Sequence, residues 1–518
     1  MSYGSIRNAD NSRDRRSDTS LLLKRAKNNI KGWYFYSFSS EPFVVSAVST
    51  YIPLLLQQFA RVNGVTVEDH SVKCTSDHDK CVLGLFNNRI FVDSSSFALY
   101  TFSISVFIQT IVVITVSGLV DVWKTIKFKS RILIGFGILG ATSIVLISQL
   151  SVNQYYSLAL LYIISNTCYG VVNVVGNSLL PVFVSDLIQY GFETHESDTE
   201  SLTTVISGKG ASIGYIAALI VQVLSMCLVK QSKSQDNIQI AVLFVGIWWM
   251  CLQSPMSWLL QDVRSTFLPS NDEIPSRIDP QLPTSFKPGM LKYGWLSLFE
   301  SLKHTRLLKD MVIFLTGWFI VSDSLTTINS AAILFARTEL KMSTLSLILI
   351  SILTMINAIT GAFIIPRYIS RKFHLSPQHT LIYIICWSSM IPFYGIMGFL
   401  FKNVGLKHPI EMFIMAIWYG ISLGGVAAVS RSLFSLIIPK GKESTFFSLF
   451  NVTDKGSSII GPLLIGFITD KTHEIRYSFY LLFGLLAISL PIFNSMKLNR
   501  AKDSASELNR VEVGTLQL

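Results

Sequence analysis

Charge is scarce in this chain: Asp, Glu, Lys and Arg make up 14% of its 518 residues, against about 25% in a soluble domain. With 50% hydrophobic and 12% aromatic residues, it cannot cover its own surface with polar groups, so lipid must replace water around much of it. No G-x-x-x-x-G-K-[ST] loop is present, which argues against an ATP-driven pump. The eight histidines fall in loops or at the edges of apolar runs, and no His/Asp cluster marks a metal path. Neither a filter-like segment nor a charged ring suggests a channel. No apolar h-region opens the chain, because residues 1–31 are polar and basic; targeting is expected to fall to the first crossing. The net charge of +11 does not point to nucleic acid, since the basic residues sit in short segments between long apolar runs.

What is abundant is apolar sequence long enough to cross a bilayer, which takes about twenty residues. Twelve such spans lie between residues 32 and 496. The segment 261–309 holds Pro269, Pro275, Pro280, Pro283 and Pro288 among polar residues, the composition of a linker. The expected organisation is a basic cytosolic tail (1–31), a six-helix bundle (32–260) with a luminal loop at 60–94, a cytosolic linker (261–309), a second six-helix bundle (310–496) and a cytosolic tail (497–518). With the N-terminus in the cytosol, 27 Lys and Arg fall on the cytosolic side and 12 opposite, the bias that orients membrane proteins. This puts Cys74 and Cys81 on the luminal or external face, where an oxidising compartment permits a disulfide. Cys168, Cys227, Cys251 and Cys386 lie singly in apolar runs and read as small hydrophobes.

The two bundles echo each other. Span 5 carries Ser207-Gly-Lys209-Gly210-Ala-Ser212-Ile213, and span 11 carries Thr453-Asp-Lys455-Gly456-Ser-Ser458-Ile459. Span 1 starts Gly32-Trp33-Tyr34 with Ser37 and Ser39, and span 7 has Gly317-Trp318-Phe319 with Ser322 and Ser324. Spans 4 and 10 share Tyr169-Gly170 and Tyr419-Gly420, then Asn177-Ser178-Leu179 and Arg431-Ser432-Leu433. Three matches at a spacing of six spans indicate parallel repeats about an axis along the membrane normal, as in the major facilitator superfamily. That superfamily's loop signature after span 2 is only partly present, as Gly118 and Asp121 with Lys124, Lys127, Lys129 and Arg131; after span 8, Ile365 stands where the acid would be. The fold class expected is all-α and polytopic, twelve helices in two pseudo-symmetric halves.

A charge inside a lipid-spanning segment is costly and is a functional hypothesis by default. The inventory is Glu41, Lys209, Asp323, Arg431, Asp454 and Lys455. Glu41 and Asp323 lie deep in the repeat-related spans 1 and 7, with Asn329 two turns beyond Asp323. They are expected to face one central cavity and to hold a substrate ammonium or a coupling proton; an interhelical pair or a helix cap is the structural alternative. Lys455 and Arg431 are candidates for a substrate carboxylate, and Asn173 and Asn177 add neutral hydrogen-bonding capacity. Lys209, Asp454 and Asp121 are expected at the rim or gate. No cofactor or metal is implied, and the chain is expected to act as a monomer in the bilayer.

The sequence resembles the fungal family of autophagy-related vacuolar amino-acid effluxers. The resembling strings include Asn29-Ile-Lys-Gly32-Trp33 through Ser39-Ser40-Glu41-Pro42-Phe43-Val44, Val172-Asn173-Val-Val-Gly176-Asn177-Ser178-Leu179-Leu180-Pro181, and Ser201 through Gly208. In the second half they include Ser322-Asp323-Ser324, Thr326 through Ser330, Leu423-Gly424-Gly425, Ser430-Arg431-Ser432, and Gly441 through Gly456. The likeness runs from about residue 27 to 498. It implies a major-facilitator-like carrier of the vacuolar membrane that exports neutral amino acids such as leucine after autophagic breakdown. A carrier of another small solute, or a non-transporting sensor or scaffold, are the alternatives. Asp18-Thr-Ser-Leu-Leu22-Leu23 resembles an acidic dileucine sorting signal.

Overall fold

In a bilayer every backbone N–H and C=O must be satisfied within the protein, so apolar runs of this length become helices. The computed structural model describes residues 4–66, 72–74, 81–86, 88–123, 125–191, 196–231, 237–263, 295–296, 308–342, 344–401, 403–458, 460–472 and 474–515. Most of the expected linker at 261–309 and the middle of the 60–94 loop lie outside them. Eleven of the described helices are individually long and apolar enough to cross a membrane.

The first half holds span 1 (Gly4–Pro42, then a π-helical stretch Phe43–Tyr51 and the helix Ile52–Val62), span 2 (Ser94–Trp123), span 3 (Ile126–Ile147), span 4 (Tyr155–Gly191), span 5 (Glu196–Gln231) and span 6 (Asn237–Leu252). The second holds span 7 (Lys309–Thr338), span 8 (Thr344–Ile364, continued by a π turn Ile365–Ile369), span 9 (Pro377–Leu400), span 10 (Pro409–Ile437), span 11 and span 12 (Ser478–Ser495). Span 11 is in two pieces, Glu443–Ser457 and Ile460–Thr472. Neither piece alone is long enough to cross a membrane.

Both expected tails are more structured than their polarity suggested. The boundary set at residue 31 falls inside one continuous helix, because Leu22, Ala26 and Ile30 recur at one-turn spacing and are buried. Asn29 locks this extension to the segment that follows span 6: its Nδ2 donates to the Gln261 carbonyl and its Oδ1 accepts from the Gln261 N–H, each at 2.9 Å. Leu22 of the dileucine-like string is buried here. Residues expected as a C-terminal tail form a helix, Leu498–Thr515, called the C-terminal helix below.

Twelve crossings bring both ends of the chain to one side, the terminal face. The opposite face carries a three-stranded antiparallel sheet, β1 (Val65–Thr66), β2 (Cys81–Leu85) and β3 (Ile90–Asp93), in the order β1-β2-β3. Cys74 and Cys81 are joined by a disulfide next to β2. On the same face Glu411 is buried at the start of span 10 and accepts from the Leu406, Lys407 and His408 N–H groups and the Tyr394 hydroxyl. Those four donors give this buried acid a purely structural task.

Candidate functional site

The two halves meet along spans 2, 4 and 5 of the first and spans 8, 10 and 11 of the second. Their hydrogen bonds begin at the terminal face. Asp121, buried at the end of span 2, accepts from the Ser444 N–H (2.9 Å) and the Thr445 N–H (2.7 Å) in the first turn of span 11. A carboxylate there both satisfies orphan amides and complements the positive end of the helix. Lys129 lies 4.0 Å from Glu443 beside it, and Ser444 bonds Ser178 of span 4. Higher up, Thr204 bonds Ser432 and Ser207 donates to the Ala428 carbonyl. At mid-depth Ser212 donates to the Ile359 carbonyl and Gln109 to Asn451. Among the described residues, no hydrogen bond joins the helical halves beyond that level. The terminal face is closed.

Glu41 sits where this seal ends. A Cβ on Gly214 would stand 3.1 Å from Glu41 Cγ, so glycine there lets span 5 pass the acid without crowding it. Pro42 and the π-helical stretch follow at once, an irregularity that often marks functional positions. The Glu41 carboxylate accepts no hydrogen bond among the described residues, and the charges it feels most are those of Arg431 and Lys455. Arg431 crosses from span 10 to place its guanidinium carbon 5.9 Å from the Trp33 ring centre, and its Nη1 is buried without a partner. Trp33 is itself fixed, donating from Nε1 to the Gly176 carbonyl at 2.8 Å. Tyr36 donates to Asn173 Oδ1 at 2.9 Å, and Asn177 donates to the same oxygen at 2.7 Å. Asn177 Oδ1 is buried and unpaired.

The expected residues therefore divide. Glu41, Arg431, Lys455, Asn173 and Asn177 come together around the middle of the half-interface. Asp323 does not join them. It is 4% exposed and accepts from the Gly461 N–H at 2.9 Å, capping the second piece of span 11. The reason lies in the repeat register: Asp323 falls five residues after Trp318, whereas Glu41 falls eight after Trp33. The position in span 1 that matches Asp323 is Phe38, which packs on Trp248 rather than facing the other half. Asn329 is exposed on span 7, and Lys209 is exposed on span 5 with its ammonium 5.2 Å above the Tyr34 ring. Asp454 accepts from Ser322 at 2.6 Å and lies 3.4 Å from Lys455. Asp121 is at the terminal closure.

Four tyrosines escaped the charge inventory. Tyr36, Tyr169 and Tyr215 are buried within the electrostatic reach of Glu41 and Arg431. Tyr419 bonds the Leu325 carbonyl at 3.0 Å. Their hydroxyls make the interface polar without adding charge, so a search for intramembrane charges passes over them. Tyr169 and Tyr419 were visible as matched Tyr-Gly pairs of the repeat.

Two related bundles that meet around an interfacial cluster of opposite charges define a polytopic membrane protein of the major facilitator fold. Solved structures agree on the fold. A bacterial homologue of the iron transporter ferroportin in an outward-facing state superposes with a TM-score of 0.59 at 12% identity, covering 91% of this chain and 99% of that one. The Escherichia coli fucose:proton symporter gives 0.59 at 13% identity, covering 92% and 99%. Within that class, residues 25–506 match the family model described as "Vacuole effluxer Atg22 like", and the chain belongs to that family. Curated relatives named autophagy-related protein 22 are 64% identical in Vanderwaltozyma polyspora, over 99% of this chain and all of that protein. In Saccharomyces cerevisiae they are 60% identical, over 99% and 98%. The protein is a multi-pass transporter of the vacuolar membrane and not an enzyme.

Proposed function

We propose that the protein exports neutral amino acids such as leucine from the vacuolar lumen to the cytosol, with its terminal face in the cytosol. The observation that carries this is the meeting of an unbonded Glu41 carboxylate, an unpaired buried Arg431 Nη1 and an unpaired Asn177 Oδ1 in one interfacial cluster. A buried donor or acceptor left unpaired is costly and calls for a partner. A zwitterion offers both complements: its ammonium to Glu41 and Asn177, its carboxylate to Arg431 with Lys455 adding positive potential. The excess of Lys and Arg on the terminal side supports a cytosolic assignment for that face. Because this face is closed, the state described receives solute from the lumen. A proton exchanging on Glu41 is the coupling this site would support, and Asp323 is assigned a structural part only.

Proteoliposomes or vacuolar vesicles preloaded with radiolabelled leucine test the proposal. The protein should release the leucine, and retention at every imposed pH gradient would count against amino-acid export. Glu41→Gln and Arg431→Lys should each slow release roughly ten- to a hundred-fold, as expected when a charge-assisted bond of about 1.5–3 kcal/mol is lost. A wild-type rate in Glu41→Gln at normal abundance would remove Glu41 from the site.

A further inference from the structure

The C-terminal helix touches both halves. On the second half it is tied to Asp310, whose side chain is 3% exposed at the start of span 7. Asp310 accepts from the Lys497 N–H at 2.9 Å, and from Arg500 Nε at 2.6 Å and Nη2 at 2.7 Å. Leu498, Ala501 and Ala505 are buried in the same attachment. Two residues beyond Arg500, and so on another side of the helix, Lys502 reaches the first half. Its Nζ lies 2.6 Å from Glu200 Oε1 near the start of span 5, and both side chains are 17% exposed.

Beneath this bridge the halves are not fully packed. A cavity of about 500 Å³ separates Val184 and Ile188 of span 4 from Leu436 at the end of span 10 and Ile438 just after it, and Lys502 forms part of its wall. Closure at this corner thus leans on a charge pair more than on continuous apolar contact. Alternating access requires the halves to part at the terminal face. The C-terminal helix, tied by Asp310, leaves with the second half, so Lys502–Glu200 is the contact that must break.

We propose that the C-terminal helix is a strap that biases the transporter toward the terminal-closed state through the Lys502–Glu200 pair. It is independent of which solute is carried. A partly exposed ion pair biases an equilibrium without bolting it, by roughly two- to five-fold. The strap sets how often the terminal face opens and leaves the substrate site itself untouched.

Single-molecule fluorescence transfer on the full chain in lipid nanodiscs reads this directly. Labels at Lys127→Cys and Lys372→Cys, both exposed and on opposite halves, report terminal-face opening when Cys227, Cys251 and Cys386 are replaced by serine. Glu200→Lys and Lys502→Glu should each raise the open-to-closed ratio roughly two- to five-fold. The Glu200→Lys/Lys502→Glu double swap should bring it back toward the wild-type value. Lys502→Ala, which adds no new charge, should shift the ratio in the same direction. An unchanged ratio in Lys502→Ala and Lys502→Glu overturns the strap, as does a double swap no closer to wild type than either single variant.

Discussion

Spans 5 and 11 carry the same short string, Lys-Gly followed by small residues, yet they have become different objects. In span 5 the helix runs unbroken from Glu196 to Gln231, and Gly210 presses against the face of Trp33. In span 11 the first piece ends at Ser457 and gives way to a turn at Ser458, and Gly456 has no neighbour within 4 Å of where a Cβ would lie. The lysines diverge too: Lys209 is exposed above Tyr34, while Lys455 acts on Glu41. Even the paired tryptophans differ, for Trp33 Nε1 bonds Gly176 and Trp318 Nε1 is buried without a partner. A repeat preserves which helices face one another. It does not preserve which of them is rigid. Discontinuous helices at a transporter's centre commonly provide the moving part, and of spans 5 and 11 it is span 11 that is interrupted.

That contrast can be broken most forcefully at its packed end. Gly210→Leu must displace the Trp33 ring, and overpacking a buried helix contact costs about 1–3 kcal/mol or more. The expected outcome is a large drop in thermal stability in detergent, read as loss of monodisperse protein after heating. Gly456→Leu should drop far less, and equal losses would deny the asymmetry.

The clamp on the break comes next. Two consecutive residues of span 7 hold both pieces of span 11: Ser322 donates to Asp454 at 2.6 Å, and Asp323 accepts from Gly461 at 2.9 Å. Asp323→Ala strips the charged cap from the second piece and should cost about 1.5–3 kcal/mol. Asp323→Asn keeps an acceptor and should recover most of it. Should Asp323→Asn instead abolish leucine release at full stability, Asp323 would belong to the transport chemistry after all.

A smaller contrast tests the tryptophans. Trp33→Phe and Trp318→Phe each empty the same buried ring volume, but Trp33→Phe also gives up a hydrogen bond, about 0.5–1.5 kcal/mol, and should lose more by about that amount. The same thermal measurement on both variants decides it, and a larger loss at Trp318 would overturn this contrast.

Much of this architecture is legible in the sequence. Hydropathy fixes the crossings because lipid leaves the backbone no alternative, and the n to n+6 matches fix the pseudo-symmetry. The family was legible from long strings such as Ser430-Arg431-Ser432 and Thr453-Asp454-Lys455-Gly456. The turn at Ser458 in span 11 is not, because Ser457-Ser458 stands there, with neither proline nor charge to announce it. Asp323 could have been set apart by counting from Trp318 and finding it out of step with Glu41. The helical tails are hidden by their polarity, since Leu22, Ala26 and Ile30, and later Leu498, Ala501 and Ala505, each bury only one narrow stripe.

The smallest expected effect is the most discriminating. Gly456 lies one residue from the end of the first piece of span 11 and touches nothing, so Gly456→Ala introduces no clash. Alanine is favoured over glycine in a helix by roughly 0.5–1 kcal/mol, so the variant should be slightly more stable than wild type. If the break is a hinge, the same substitution stiffens it, and leucine release should slow while stability rises. The matching change in span 5, Gly210→Ala, meets the Trp33 ring and should lose stability and transport together. Opposite signs of stability and rate at Gly456, with matching signs at Gly210, would mark span 11 as the moving member of the pair; a rate that rises with stability at Gly456 would make the break a fixed kink.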